Sequence, residues 1–283
     1  MKPLSDWPLA ERRGIVGVFT DIDDTLTSEG SITPDALQAL HDLHAAGVVV
    51  IPVTGRPIGW CQRFMDGLSQ EPWPVPAMVA ENGGVAFVRS LSADVQGQIR
   101  PEPAEKLREP LSKLYQLDAA TRAANAAAMQ QVAQRVLREL PGVGLSRDGG
   151  GRETDLAFDY AEYAQLPPET VQQVLAILHE SGMETSVSSI HIHGCFGHFD
   201  KWTGAQWILR TLMRRELADE LDRWVFIGDS GNDQVMFRHF RHSVGVANIA
   251  RCASSLTDLP RYITPAERGT GFAQMAQAIL QAR

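Results

Sequence analysis

The stretch "GIVGVFTDIDDTLT", Gly14 to Thr27, decides how the fold is read. Ile15 to Thr20 is apolar on both faces rather than one, the pattern of a strand buried within a parallel sheet. The run ends abruptly in Asp21, Asp23 and Asp24. Acids this close repel one another, and at least one resists ionisation unless a cation compensates.

The same alternation continues downstream. "TPDALQALHDLHAAG" reads as a helix, with Thr33 as N-cap, Pro34 at the first helical position and Gly47 as the stop. A second apolar run, "VVVIPV", starts at Val48, followed by a helix predicted from Ile58 to Leu68 and a short strand from Ala77 to Ala80. Strand and helix in alternation predict a parallel sheet with helices on its faces. The middle of the chain breaks that rhythm. "LDAATRAANAAAMQQVAQRVLREL" is a long helix whose Ala126, Met129, Val132, Val136 and Leu140 share one face. "TDLAFDY" reads as a strand, Val171 to Glu180 as a helix and "SVSSIHIHG" as another strand. The α/β pattern then resumes with a helix from about Trp202, the strand "WVFIGD", a helix after Asn232, the strand "HSVGVAN" and a last helix near Gly271 to Gln281. The expected fold is a doubly wound, Rossmann-like α/β core from residues 1–84 and 193–283, interrupted by an α+β cap at 85–192.

Bulk properties narrow the partners. The chain has 283 residues, 44% of them hydrophobic, with a net charge of −8, which disfavours nucleic acid and anionic membranes. Cys61, Cys195 and Cys252 are scattered and form neither a disulfide framework nor a metal pattern, so a reducing compartment is expected. The start lacks an apolar stretch of signal-peptide length, and "AAGVVVIPV" is far too short to cross a bilayer. A cytoplasmic protein, monomer or homodimer, is the expectation.

In open parallel sheets ligands sit beyond the carboxyl ends of the strands. Asp21 and Asp23 lie there, as do "TGR" (Thr54 to Arg56) and "GDSGND" (Gly228 to Asp233). A divalent cation relieves the repulsion, and Mg2+ takes one or two carboxylates while leaving room for phosphate oxygens. With it, one carboxylate can serve as nucleophile and a neighbour as general acid. Each string alone is ordinary turn chemistry, since Asp, Thr, Gly and Ser favour turns. Their order, each after a strand, carries the inference.

"DIDDT", "TGR", the lysine of "DKWTG" and "GDSGND", in that order, resemble the four motifs of the haloacid dehalogenase superfamily of phosphatases. The long insert between the second and third motifs resembles the subclass with a sheet-containing cap there, which includes sugar-phosphate phosphatases. "ENGG" at Glu81 and "VGVAN" at Val244 fit similar strings in that subclass. The resemblance implies a Mg2+-dependent phosphatase forming an aspartyl-phosphate. In it Asp21 is nucleophile and metal ligand, and Asp23 is acid/base, its backbone carbonyl touching the metal. Thr54 and its neighbours Gly55 and Arg56 hold the phosphoryl group, and Lys201 offsets its charge. Asp229 completes the metal site, with Asn232 and Asp233 orienting water, lysine or metal.

The subclass carries glycine where this chain has Asp24, which is expected to point to solvent. Arg147 and Arg152 flank "DGGG", where they could grip a second anionic group or simply be solvated loop arginines. His191 and His193 share a strand face and are read as packing or substrate-bonding groups rather than zinc ligands. The reading is a hydrolase of a small phosphorylated metabolite, a sugar phosphate by subclass analogy. A phosphosugar mutase using the same nucleophile and a non-catalytic phospholigand-binding module are the alternatives.

Overall fold

The computed structural model describes residues 1–67, 72–89 and 110–283. Its centre is a six-stranded parallel sheet, in spatial order Lys2–Pro3, Tyr262–Ile263, His242–Gly245, Trp224–Gly228, Gly17–Thr20 and Val49–Pro52. The first motif's strand is thus interior, one in from the Val49–Pro52 edge, and its four residues are all buried. Side chains alternate between two cores. Val18 joins Val50, Val225 and Phe272 on one side, while Phe19 joins Ile51, Phe226 and Ile208 on the other. Helices Pro34–Ala45 and Arg268–Leu280 cover the first face, and helices Lys201–Met213 and Gln234–His239 the second. Each large side chain buried this way contributes about 1.5–3 kcal/mol, so both faces hold this strand in place.

Register sets the site. Thr20 pairs with Ile227 on one neighbour and with Pro52 on the other, so three strands end level. Asp21, Thr54 and Asp229 therefore leave the sheet along one rim.

A three-stranded antiparallel sheet (Ala77–Ala80, Val85–Val88, Ser112–Tyr115) is joined to this layer through the parallel bridge Val53–Val79. Val85, where the insert is expected to begin, opens the second of these strands. Val85 and Phe87 pack into one core cluster and Ala86 and Val88 into the other. The insert has a separate core. Met129, Val132 and Val136 of helix Ala119–Glu139 and Val174 and Leu178 of helix Pro168–Glu180 pack on Phe158 and Ile192. These strands lie in a four-stranded antiparallel sheet, ordered Glu184–Val187, His191–Cys195, Leu156–Asp159 and Gly144–Leu145.

Two elements differ from expectation. The helix predicted over Ile58 to Leu68 is a four-residue turn, Ile58–Cys61, followed by a 3-10 turn at Gln62–Phe64, and Leu68 lies outside the described residues. There the Phe64 carbonyl accepts from Trp73 N–H and the two rings stack at 4.3 Å, which draws the chain away from a helical path. "SVSSIHIHG" is not one strand but a hairpin. Ser188 Oγ accepts from the amides of Ile190 and His191, closing a tight turn between two paired strands. No helix among the described residues is long and apolar enough to cross a membrane.

Candidate active site

Asp21 is the first residue past its strand, and its amide donates to Ile227 O at 2.9 Å, which aims its side chain off the sheet rim. Lys201 reaches it from the first turn of helix Lys201–Met213, with Nζ 2.5 Å from Asp21 Oδ1 and 2.7 Å from Asp233 Oδ1. A cation on a helix's first turn faces the unfavourable end of the dipole, and these carboxylates offset that. The lysine is fully buried. Burial alone would lower its pKa, but Asp21 and Asp233 outweigh it and hold it above the ordinary range.

Asp233 is anchored from behind. Its Oδ2 accepts from the amides of Asp229 and Ser230 at 2.9 and 3.0 Å. A Cβ at Gly228 would stand 2.5 Å from the Asp233 carboxyl carbon, so the glycine of "GDSGND" makes room for that acid. Asp229 accepts from Asn248 Nδ2 at 3.0 Å and from the Thr25 hydroxyl at 3.4 Å. Carboxylate oxygens of Asp21, Asp229 and Asp233 all lie within 4.8 Å of one another. Burial raises the pKa of Asp21, with Lys201 opposing, and burial with the Asp21 charge raises that of Asp229. Lys201 is the one ammonium paired with this acid cluster among the described residues.

Thr54 is buried, its hydroxyl accepting from the Arg56 amide at 3.0 Å. Asn232 Nδ2 donates to Asn82 Oδ1 at 3.1 Å, tying the fourth motif to "ENGG". Arg56 clamps Asp23: Nε and Nη2 both lie 2.9 Å from its carboxylate. The same guanidinium donates to Asp148 at 3.1 Å and to Glu162 at 2.9 Å, both from the insert. His191 Nε2 lies 2.9 Å from the other Glu162 oxygen. Arg56 thus links Asp23, two residues after Asp21, to the insert.

The two loop arginines part company. Arg147 is exposed and lies over the Tyr163 ring at 3.9 Å. Arg152 is buried, but its charge is used inside the protein: Nη1 donates to Asp155 at 2.7 Å and to Gly55 O at 2.9 Å, and Nη2 to Asp148 at 3.3 Å. Arg152 therefore spends its charge on the protein's own acids, while Arg147 rests on an aromatic ring. Asp24 does not point simply to solvent. It adopts a left-handed backbone (φ 55°), which explains a glycine preference there, and its carboxylate lies 3.0 Å from Arg268 Nε. Its carbonyl accepts from Asn248 at 3.0 Å, bringing "VGVAN" against the first motif.

Sequence reasoning missed Asp148, Asp155, Glu162 and the Ser188 turn. A signal existed for two of them, because Asp148 and Asp155 bracket Arg152 at positions −4 and +3 and mark it as self-paired. Glu81 is fully buried and accepts from the amides of Ile58, Glu153 and Thr154, so it pins the insert's loop to the core. Cys61 and Cys195 are buried, and burial pushes the Cys195 thiol up to about 12, so neither is a reactive thiolate.

Core and insert close over a cavity of about 10 Å³, lined by Asp21, Thr54 and Asn232 below and by Ser189, Ile190 and His193 above. That is room for one water.

Known proteins fit this geometry. A family model for haloacid dehalogenase-like hydrolases matches residues 18–132. No curated protein matches the chain by sequence. Among solved structures, one from Thermoplasma acidophilum superposes with a TM-score of 0.65 at 17% identity, covering 95% of this chain and 99% of its own. The sucrose-phosphatase of Synechocystis, in complex with sucrose and phosphate, gives 0.62 at 15% identity, covering 94% and 98%. The C-terminal domain of Candida albicans trehalose-6-phosphate phosphatase gives 0.63 at 12% identity, covering 99% of each. These share the fold of a parallel core with an inserted cap. The family match spans the first two motifs, so that part of the chain is similar to the haloacid dehalogenase-like hydrolases, and the structural likenesses show the same fold.

Proposed function

We propose that the protein is a Mg2+-dependent phosphomonoesterase acting on a sugar phosphate through an aspartyl-phosphate on Asp21. One observation carries this: the buried acids Asp21, Asp229 and Asp233 converge within 4.8 Å around a single lysine. Two of these carboxyls have raised pKa values, so the cluster is short of positive charge, which fits a hard divalent cation with oxygen ligands. Asp21, Asp229 and the Asp23 carbonyl would hold Mg2+, with Asp233 alongside. When bound, the ion supplies charge neutralisation to the phosphoryl oxygens.

In this reading an Asp21 carboxylate oxygen attacks phosphorus and the ester P–O bond breaks. Asp23 gives its proton to the departing alkoxide, then takes one from the water that hydrolyses the acyl-phosphate, releasing phosphate and Asp21. Lys201 neutralises the nucleophile's charge, and Thr54 and Asn232 orient the phosphoryl oxygens. Both Asp23 oxygens accept from Arg56 in the closed arrangement, so substrate must exchange with part of that clamp. The one-water cavity requires the cap to lift for substrate entry, and closure then excludes solvent. The antiparallel unit with its two helices is the cap, and the parallel sheet with strand Val85–Val88 is the catalytic core. A sugar phosphate is favoured by the sucrose-phosphatase and trehalose-6-phosphate phosphatase folds that resemble this one.

The test is phosphate release from a panel of hexose, disaccharide and polyol phosphates, with and without Mg2+, for wild type and Asp21→Asn. Turnover should require Mg2+ and fall at least ~10³-fold in the variant. No turnover of any phosphoester with Mg2+ present, or an active Asp21→Asn, would sink the reading. Interconversion of two phosphosugars with little free phosphate would instead identify a mutase.

A further inference from the structure

The pocket's donors and its acid cluster are matched to a phosphoryl group and its metal. One pocket group is matched to neither. His193 Nε2 is the single unpartnered buried side-chain atom on the pocket lining among the described residues. His193 is 3% exposed, and Nδ1 sits 2.9 Å from Asp155 Oδ2. Asp155 is itself fixed by Arg152 at 2.7 Å, and Arg152 by Gly55 O. The ring therefore cannot turn freely.

This chain of contacts sets the tautomer. Burial opposes ionisation of Asp155, but Arg152 and His193 outweigh it and hold its carboxyl below the usual range, so it accepts. Nδ1 then carries the proton and Nε2 presents a bare lone pair. Burial lowers the imidazole to about 4, which keeps it neutral. The acceptor hangs over the second motif: a Cβ on Gly55 would lie 2.9 Å from Nε2, so only glycine leaves the space open. The hairpin turn Ser188–Ile190 closes the same space from the cap.

A buried acceptor with no donor is costly, and the cavity has room for one water to serve it. A phosphoryl dianion has no proton to donate, whereas an alcohol hydroxyl can replace that water without losing the bond. We propose that His193 is a specificity-determining residue whose Nε2 accepts a hydrogen bond from a hydroxyl on the alcohol portion of the substrate. Arg152 and Asp155 are its positioning residues. The pocket thereby selects polyhydroxylated over apolar esters. The inference rests on the phosphatase reading and specifies which part of the substrate the cap reads.

The test compares wild type, His193→Phe and His193→Gln with Mg2+ on p-nitrophenyl phosphate, which has no leaving-group hydroxyl, and on hexose, pentose and polyol phosphates. Wild type should prefer a hydroxylated ester. In His193→Phe the ratio of kcat/KM for that ester to kcat/KM for p-nitrophenyl phosphate should fall about tenfold, mostly through KM. His193→Gln, which keeps an acceptor oxygen, should recover part of it. Deoxy analogues on wild type provide the same test without a variant: removing one particular hydroxyl should cost about tenfold. Equal losses on every ester, or a deoxy series with no sensitive position, would overturn the inference. Failure of wild type to hydrolyse even p-nitrophenyl phosphate would instead defeat the phosphatase reading beneath it.

Discussion

The molecule holds two buried charge clusters that differ in how their acids are paired. Around Asp21 three acids meet one lysine, whose ion pairs go to Asp21 and Asp233. Between core and insert each acid of the second cluster contacts an arginine. Arg56 faces Asp23, Asp148 and Glu162, Arg152 faces Asp148 and Asp155, and both histidines of the hairpin have carboxylate partners. A cluster in which every acid contacts an arginine fastens two layers and orients groups. A cluster left short of charge is built to receive it from a ligand. The arginine-paired cluster therefore fastens core to insert, and the Asp21 cluster is the proposed reaction centre.

Removing one cation from each cluster sharpens this contrast. Lys201→Met strips the acids of their buried partner and should cut turnover by about 10²–10³-fold, from loss of charge stabilisation on the phosphoryl group. It should also cost about 3–5 kcal/mol of stability, read by denaturant unfolding, because it strands buried carboxylates. Saturating Mg2+ should recover part of that stability. Arg152→Met should cost a similar amount of stability with no recovery by Mg2+, since its acids do not face the metal. Equal rescue of both variants would erase the distinction.

A smaller effect comes from pH. His193, facing Asp155, Arg152 and the His191 ring, is held to about 4 by burial. An unfolded histidine binds its proton near pH 6.5, so between these values the unfolded chain carries more protons and stability falls as pH drops. This group's share is fully present above pH 6.5 and is lost progressively down to about pH 4, of order 3 kcal/mol in all. Unfolding free energies from pH 7 to pH 4.5 should therefore decline more steeply in wild type than in His193→Phe. Parallel pH profiles would show that His193 does not stay neutral in the fold.

The convergence on the Asp21 cluster was largely legible in the sequence, and the contacts between core and insert were not. Asp21, Thr54, Lys201 and Asp229 follow strand ends or open a helix, where local pattern fixes both position and direction. Parallel register then brings them together without further specification. Those contacts depend on residues distant in sequence meeting across two layers, as with Arg56 and Glu162. No local periodicity encodes that. Arg147 and Arg152 were alike on paper, yet one lies over an exposed tyrosine and the other is buried between two acids. Only the flanking charges of Arg152 distinguished them. The hairpin in "SVSSIHIHG" was hidden because apolar and polar residues alternate across the turn as they would along one strand. Ser188's side chain, not a glycine or proline, makes that turn. The left-handed backbone at Asp24 was likewise masked by a residue type that tolerates it.

The most direct measurement of the central claim is a Mg2+ titration of the metal-free protein, by calorimetry and thermal unfolding, alongside Asp229→Asn. Wild type should bind one ion and gain about 2.7 kcal/mol of stability at a hundredfold excess over Kd, while the variant should gain almost nothing. Wild type that neither binds nor is stabilised by Mg2+, or a variant that responds equally, would contradict the account.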